Sequence, residues 1–337
     1  MNKVAENNIE NNVSMPENKF LKVVSRSEII ISICIILIFI GVSIKVPTFS
    51  SIGNIVALSK YVAFLGILAI PVTFLLITKR FDLSIGAATA MIGGVMAILI
   101  RDYNISNILF VLILIVGFAI SIAAGYLNGF LTTKLRINAL IATLGTMYMF
   151  QGLFFVLNDS YSITDFSKKV SRFPDVVLNL PVGVYVLFIM GIIFGILLSR
   201  TKYGRFIFAI GKDAEVSRLA GIPVDRIIYI LYFFSGLCCY LVALLTIVNF
   251  KSFPNTTGSN WGFLVTAGAV LGGCSIYGGK GSVHGSILGI VFIVTLQGAL
   301  NALEVSANFQ TVLLGVILIV TTLGDTLRYR KLQRLKA

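Results

Sequence analysis

The chain has 337 residues, of which 57% are hydrophobic and only 12% charged, against about 25% charged in a soluble domain. So few charges cannot cover a water-facing globule of this length, which excludes a soluble enzyme. Four cysteines and one histidine also exclude a disulfide scaffold and an ordinary zinc site, and the net charge of +13, from 27 Lys+Arg against 14 Asp+Glu, matters through its placement.

A helix crossing ~30 Å of hydrocarbon needs about 20 mainly apolar residues. Residues 1–28 come first, rich in asparagine and without apolar periodicity, and predict a disordered cytoplasmic tail. Uncharged runs follow at 29–44, 61–78, 83–100, 103–133, 137–158, 176–199, 227–250, 252–279, 281–303 and 305–324. They predict an all-α polytopic membrane protein with about ten transmembrane helices over 29–326 and cytoplasmic N- and C-termini. The first run has no small-x-small cleavage site before Lys45 and is taken as a retained helix. The run at 252–279 opens with Pro254, Asn255, Thr256 and Thr257, so its helix is expected to begin near Trp261. Residues 327–337 form a basic cytoplasmic tail. With this threading twenty Lys and Arg lie on the inner side and seven on the outer, as the positive-inside rule requires.

The chain lacks the residues that would make it its own motor. A phosphate-cradling Walker loop needs Gly-x-x-x-x-Gly-Lys-Ser/Thr; the nearest approach, Cys274 to Gly281, has Cys274 and Gly281 at two fixed positions. No catalytic residue, metal site or bound cofactor is expected. Ion-coupled transporters place an acid or histidine deep in the membrane, whereas all 14 acids here fall at or outside a run boundary. Asp82 follows Lys79 and Arg80, and is expected to cap the third helix and pair with those cations. His284 is expected to pack or lie at the surface. Cys34, Cys238, Cys239 and Cys274 read as small packing residues.

Within the runs, Gly125/Gly129, Gly191/Gly195, Gly268/Gly272 and Gly281/Gly285/Gly289 permit close helix approach. Internal packing explains most of them; a subset could serve a subunit interface. Ser84, Asn128, Thr143, Thr146, Gln151, Gln297 and Asn301 are the uncharged polar candidates for a translocation pathway. Such a lining suits a hydroxylated neutral solute better than an ion, although each could instead bond a neighbouring helix.

The long inner loop at 200–226 carries helix punctuation. Asp213 is an N-cap, Gly221 suits a left-handed C′ position and Pro223 blocks continuation. Residues 214–220 between them make about two turns, with Val216, Leu219 and Ala220 able to share one side. Such a knob suits another protein's groove; a solvated basic loop is the alternative.

Several of these stretches, taken together, resemble the inner-membrane permease subunits of bacterial ABC sugar importers of the ribose/galactose/autoinducer-2 type. Residues 80–86 (Arg-Phe-Asp-Leu-Ser-Ile-Gly) are similar to the family's Gly-Ile-Asp-Leu-Ser-Val-Gly. Residues 141–147 (Ile-Ala-Thr-Leu-Gly-Thr-Met) match closely, as do 201–205 with 209–211, 220–224, and 270–273 followed by 278–282. They run in order over roughly 50–325. The departures are Arg80-Phe81 before the aspartate and Cys274 to Tyr277 after the glycine pair. Residues 253–258 and 276–279 look most like autoinducer-2 and rhamnose-type permeases.

The resemblance implies a second permease subunit (identical or a sister), two cytoplasmic ATPase subunits that bind and hydrolyse the ATP, and an extracytoplasmic solute-binding protein. It implies a bacterial inner-membrane location and import of a small neutral sugar or sugar-like solute. It also implies that Lys212, Asp213, Glu215, Arg218, Gly221 and Pro223 belong to the coupling helix that fits the ATPase. The rival is a self-sufficient, ion-coupled sugar transporter; a membrane enzyme is a weaker third.

Overall fold

The computed structural model describes residues 26–101, 106–164, 166 and 174–334. Of the tails expected at 1–28 and 327–337, residues 1–25 and 335–337 lie outside them; a helix has already begun at Arg26, and another runs on to Arg334. The helices are α1 (Arg26–Lys45), α2 (Ile52–Ile77), α3 (Ile85–Ile100), α4 (Asn107–Thr133), α5 (Ala139–Leu157), α6 (Val182–Arg200), α7 (Lys202–Lys212), α8 (Ala214–Leu219), α9 (Val224–Phe250), α10 (Trp261–Leu271), α11 (Val283–Ala302) and α12 (Ala307–Arg334). A two-stranded ribbon, β1 (Val176–Val177) with β2 (Leu180–Pro181), precedes α6.

Each uncharged run of the sequence coincides with part or all of one helix, but they are not ten equal spans. Among the described residues eight helices are long and apolar enough to cross a membrane, and α3 and α10 are shorter. With 16 and 11 residues they reach about 24 and 16 Å, less than the ~30 Å hydrocarbon core. The uncharged run at 83–100 overstates α3 by only two residues, whereas that at 252–279 overstates α10 at both ends, because non-helical turns precede it at 252–260 and follow it at 272–279. Helix α10 starts at Trp261, where the polar opening of its run ends.

Irregular backbone is tolerated at membrane depth only where protein or a cavity surrounds it. Here Asp82, Leu83, Ser84, Phe253 and Thr257 are all buried. Asp82 bonds Ser235 of α9, about 16 Å along that helix from its start. Helix α3 therefore begins near the middle of the bundle. There it meets the start of α10: a Cβ on Gly262 would lie 2.2 Å from the Leu83 carbonyl oxygen, and one on Gly86 2.3 Å from that of Gly258. Only glycine permits this approach.

The packing scheme runs twice through the chain. Helix α2 packs on α9, α10 and α11, while α9 packs on α2, α3 and α4; α3 adjoins α4 and α5, and α10 adjoins α11 and α12. Helices α2 and α9 run antiparallel, with Phe64 near Phe250 (6.0 Å) and Phe74 near Phe234 (6.1 Å) between ring centroids. Residues 52–157 and 224–334 are thus two inverted copies of one arrangement, each a long helix, a short one and two long ones.

The small-residue pairs mostly serve internal packing. Gly268 of α10 and Gly272 just after it lie against Gly289 and Gly285 of α11, backbone to backbone. Gly125 and Gly129 receive α9, and Gly191 and Gly195 receive Ile287 and His284 of α11. The four cysteines are unpaired; Cys238, Cys239 and Cys274 are buried.

At the opposite end from the basic loop, Lys60 of α2 reaches Asp175 at 3.1 Å and anchors the ribbon. Partial burial pushes the Asp175 carboxyl up, but the Lys60 hydrogen bond and charge outweigh it and hold the group below the ordinary 3.8. A lowered carboxylate pKa stabilises above the unfolded value and is lost as pH falls through the folded one. Asp175→Asn should therefore cost up to about 1 kcal/mol at pH 7, and the gap to the unmodified protein should close in melts taken at successively lower pH, below 3.8. A gap that persists unchanged would remove the ion pair as its source.

Candidate functional site

Three places gather the residues that the sequence marks. The first is a polar cluster where the start of α3 meets α4, α5 and α9. Asp82 does not pair with Lys79 or Arg80. Its Oδ1 accepts from the Ser84 hydroxyl (2.6 Å) and backbone N–H (3.1 Å), and its Oδ2 from the Ser235 hydroxyl (2.6 Å). Ser84 in turn accepts from the Asn128 side-chain amide (2.8 Å), whose oxygen accepts from Thr146 (2.8 Å). Ser84, Asn128 and Thr146 thus form one buried chain of bonds ending on a buried carboxylate. Charge-assisted bonds of this kind offset the cost of burying the acid. Thr143 is equally buried but donates to the Ala139 carbonyl of its own helix.

The two cations bond helix ends instead. Lys79 Nζ donates to the Lys212 carbonyl at the last residue of α7 (3.1 Å), and Arg80 to the Thr132 carbonyl near the end of α4 (3.4 Å). Helix C-termini carry partial negative charge and orphan carbonyls, so both placements are favourable.

The second place is a cavity of about 340 Å³ beside this cluster, between α3, α5 and the start of α10. Leu83 and Met147 line it, one residue along from Ser84 and Thr146. Gln151 is the one pathway candidate that faces it; Tyr148, Asn255, Asn260 and Phe263 also contribute, and sequence reasoning missed these. The third place, a larger cavity of about 640 Å³, holds Gln297 and Asn301 with Asn54, Tyr61 and Gln310. There Gln310 donates to the Asn301 oxygen at 2.8 Å. The seven polar candidates therefore divide among a bonded cluster and two separate cavities.

The basic loop is more ordered than its composition suggests. Thr201 caps α7, an 11-residue helix that sequence reasoning treated as loop. Its signal was present: Gly204, Ile207, Ile210 and Gly211 are its buried residues, a spacing of three to four. Asp213 then caps α8, accepting from the Glu215 and Val216 N–H groups at 2.9 and 3.0 Å. At the other end Gly221 has φ +81°, the Ile222 N–H returns to Ser217, and the Gly221 N–H to Arg218. That is a Schellman ending. Arg218 bridges Glu215 (2.7 Å) and Asp225 (2.9 Å), tying α8 to α9. Lys212, Asp213, Glu215, Arg218, Gly221 and Pro223 are all exposed. So are Val216 at 61% and Leu219 at 88%, an apolar face that none of the described residues covers.

The base of this element is fixed to the bundle. Gly211 packs so closely that a Cβ there would sit 1.9 Å from the Ile77 carbonyl oxygen. That carbonyl also accepts from the Gly279 N–H (2.9 Å). The Gly278–Ser282 stretch is thus a backbone junction. Asp325 of α12 secures the same loop through Ser275 and the Ile276 N–H. A rigid, doubly capped projection on a multi-helix bundle, with uncharged polar cavities inside, is the build of a transport protein's membrane subunit.

Residues 54–322 match the family described as "Branched-chain amino acid transport system / permease component", and the chain belongs to that family. It is a multi-pass membrane protein, with the apolar helices that such a permease needs. It is 33% identical over 294 residues to the ribose import permease protein of Bacillus subtilis (strain 168), covering 86% of this chain and 89% of that one. It is 32% identical over 304 residues to the L-arabinose transport system permease protein of Escherichia coli (strain K12), covering 87% and 88%. The autoinducer 2 import system permease protein of Yersinia enterocolitica is 28% identical over 271 residues, covering 78% and 80%. No solved structure matches the chain.

Proposed function

We propose that this chain is the translocation subunit of an ABC importer for a small neutral sugar or sugar-like solute. The carrying observation is α8: a capped helix of six residues whose exposed Val216 and Leu219 have the shape of a plug for a partner's groove. The ribose, arabinose and autoinducer names of the relatives support the solute class. The uncharged polar lining of both cavities supports it too.

In this scheme ATP binds and is hydrolysed on two separate subunits beneath the basic end, and this chain has no catalytic site or cofactor of its own. A second permease, identical or a sister, lies alongside, and a binding protein delivers the solute from the other face. The short helices α3 and α10 each complete a crossing with the irregular segment before them, which gives ten passes and cytoplasmic termini. Lys212 to Pro223 couples to the ATPase. When the ATPase pair closes, α8 moves and the bundles rock between inward and outward access.

The test is copurification with the importer's ATPase subunits from a shared membrane extract. Leu219→Asp should abolish it and Asp213→Ala weaken it severalfold while the permease still inserts, the cap alone being worth about 1 kcal/mol to α8. Transport that survives deletion of 212–222 would sink the docking scheme. The rival, ion-coupled transport, gains only if the chain alone in vesicles concentrates solute under an ion gradient.

A further inference from the structure

We propose that the mid-bundle cavity between α3, α5 and the start of α10 is a holding site for one uncharged, monosaccharide-sized polyol. The inference rests on the transport function proposed above and adds a place and a chemistry to it.

Size comes first. At about 340 Å³ the cavity lies at the small end of the ~300–1,000 Å³ range of ligand pockets, enough for one sugar ring. Charge comes second: no Asp, Glu, Lys or Arg is among its lining residues, so an ion or a sugar acid would enter without a counter-charge. The nearest acid, Asp82, is 3% exposed, and both its oxygens are taken by serine hydroxyls.

The third argument is the state of the polar groups. The side-chain amides of Gln151 and Asn260 make no hydrogen bond within the described residues, unlike Asn128 and Asn255, which are bonded to protein. Two free amides facing one cavity offer donors and acceptors in equal number, the pattern a ring of hydroxyls needs. Tyr148, 69% exposed, and Phe263 supply apolar ring faces for the C–H side of a sugar. Position is the fourth: the cavity sits where the two short helices begin, at the pseudo-symmetric centre of the bundle, where inverted-repeat transporters have their irregular backbone.

The chain carries its own reporter. Its only tryptophan, Trp261, lies between the cavity-lining Asn260 and Gly262 and is 8% exposed. The purified full-length chain in lipid nanodiscs would be titrated with D-ribose, L-arabinose and L-rhamnose while Trp261 emission is followed. At least one should give a saturable change, and the charged sugar acid glucuronate none. Gln151→Leu should raise the apparent Kd at least tenfold while leaving the sugar-free emission unchanged, which a merely structural role would not do. No saturable response to any of the three sugars, or an unaltered Kd in both Gln151→Leu and Asn260→Ala, overturns the site. ATP-driven uptake in the reconstituted importer separates the two claims. Uptake without a Trp261 response removes the site alone, whereas a response without uptake removes the importer scheme alone.

Discussion

Replacing Asp82 by alanine should produce the largest loss of stability of any single polar substitution in the bundle. The carboxylate accepts three bonds, from Ser84 twice and Ser235 once, and through Ser84 it closes the chain that runs to Asn128 and Thr146. Bonds to a charged group contribute about 1.5–3 kcal/mol each, and the stranded hydroxyls recover part of that with one another. A net cost of about 2–4 kcal/mol follows, seen as a lower midpoint in thermal unfolding of the detergent-purified chain. Asp82→Asn keeps the size and one acceptor and should fall between. The order unmodified, Asn, Ala is the signature. If alanine melts with the unmodified protein, the carboxylate does not hold the start of α3 against α9.

Gly211→Val should uncouple transport without releasing the ATPase. Gly211 is buried at the foot of the α7–α8 element, and even a single added carbon would lie 1.9 Å from the Ile77 oxygen and 2.7 Å from the Gly279 nitrogen. Backbone atoms are the obstacle, so no side chain can swing aside to relieve it. The exposed face of α8 lies in a different part of the loop and is untouched, so ATPase copurification should persist. ATP-driven uptake should drop at least tenfold, because the projection can no longer push on α2 through rigid contact. Gly53, with nothing within 4 Å, is the control: Gly53→Ala should transport normally. Loss of copurification in Gly211→Val would mean that the junction shapes α8 rather than transmits its movement.

Much of the architecture is legible from where charges do not occur, because hydrocarbon excludes them and the runs between them bound the helices. What an uncharged run hides is whether its backbone is helical. Residues 83–84 and 252–260 are as uncharged as the helices that they precede, and only Pro254, Asn255 and Gly258 hint at turns. The amphipathic α7 was obscured for the opposite reason. Its lysines and arginine look like a solvated loop until Ile207 and Ile210 are seen to share the buried face with two glycines.

The caps of α8 depend on a few adjacent residues, so Asp213, Gly221 and Pro223 are readable in the sequence. The Asp82 cluster is not, since its decisive partner Ser235 lies 153 positions away and a lone serine in an apolar helix gives no signal. Local proximity suggested Lys79 and Arg80 as partners. Both instead answer the carbonyl ends of α7 and α4, whose proximity only the folded chain creates. Gln151 was found by its polarity, and Tyr148 lies one turn before it on α5, but their companion Asn260 comes from the start of α10, which meets α5 only in the folded chain.

The repetition of one packing scheme in reversed sense, 52–157 and 224–334, has a consequence for how a passage could open at either face. Small differences in tilt between the two halves would decide which mouth is wide. Trading those differences would yield the opposite state with no contact that the polypeptide does not already make once. Distance probes placed across the α3–α5 pair and across the α10–α12 pair should then shift by equal amounts in contrary directions when nucleotide reaches the complete transporter, and shifts of the same sign would break the equivalence.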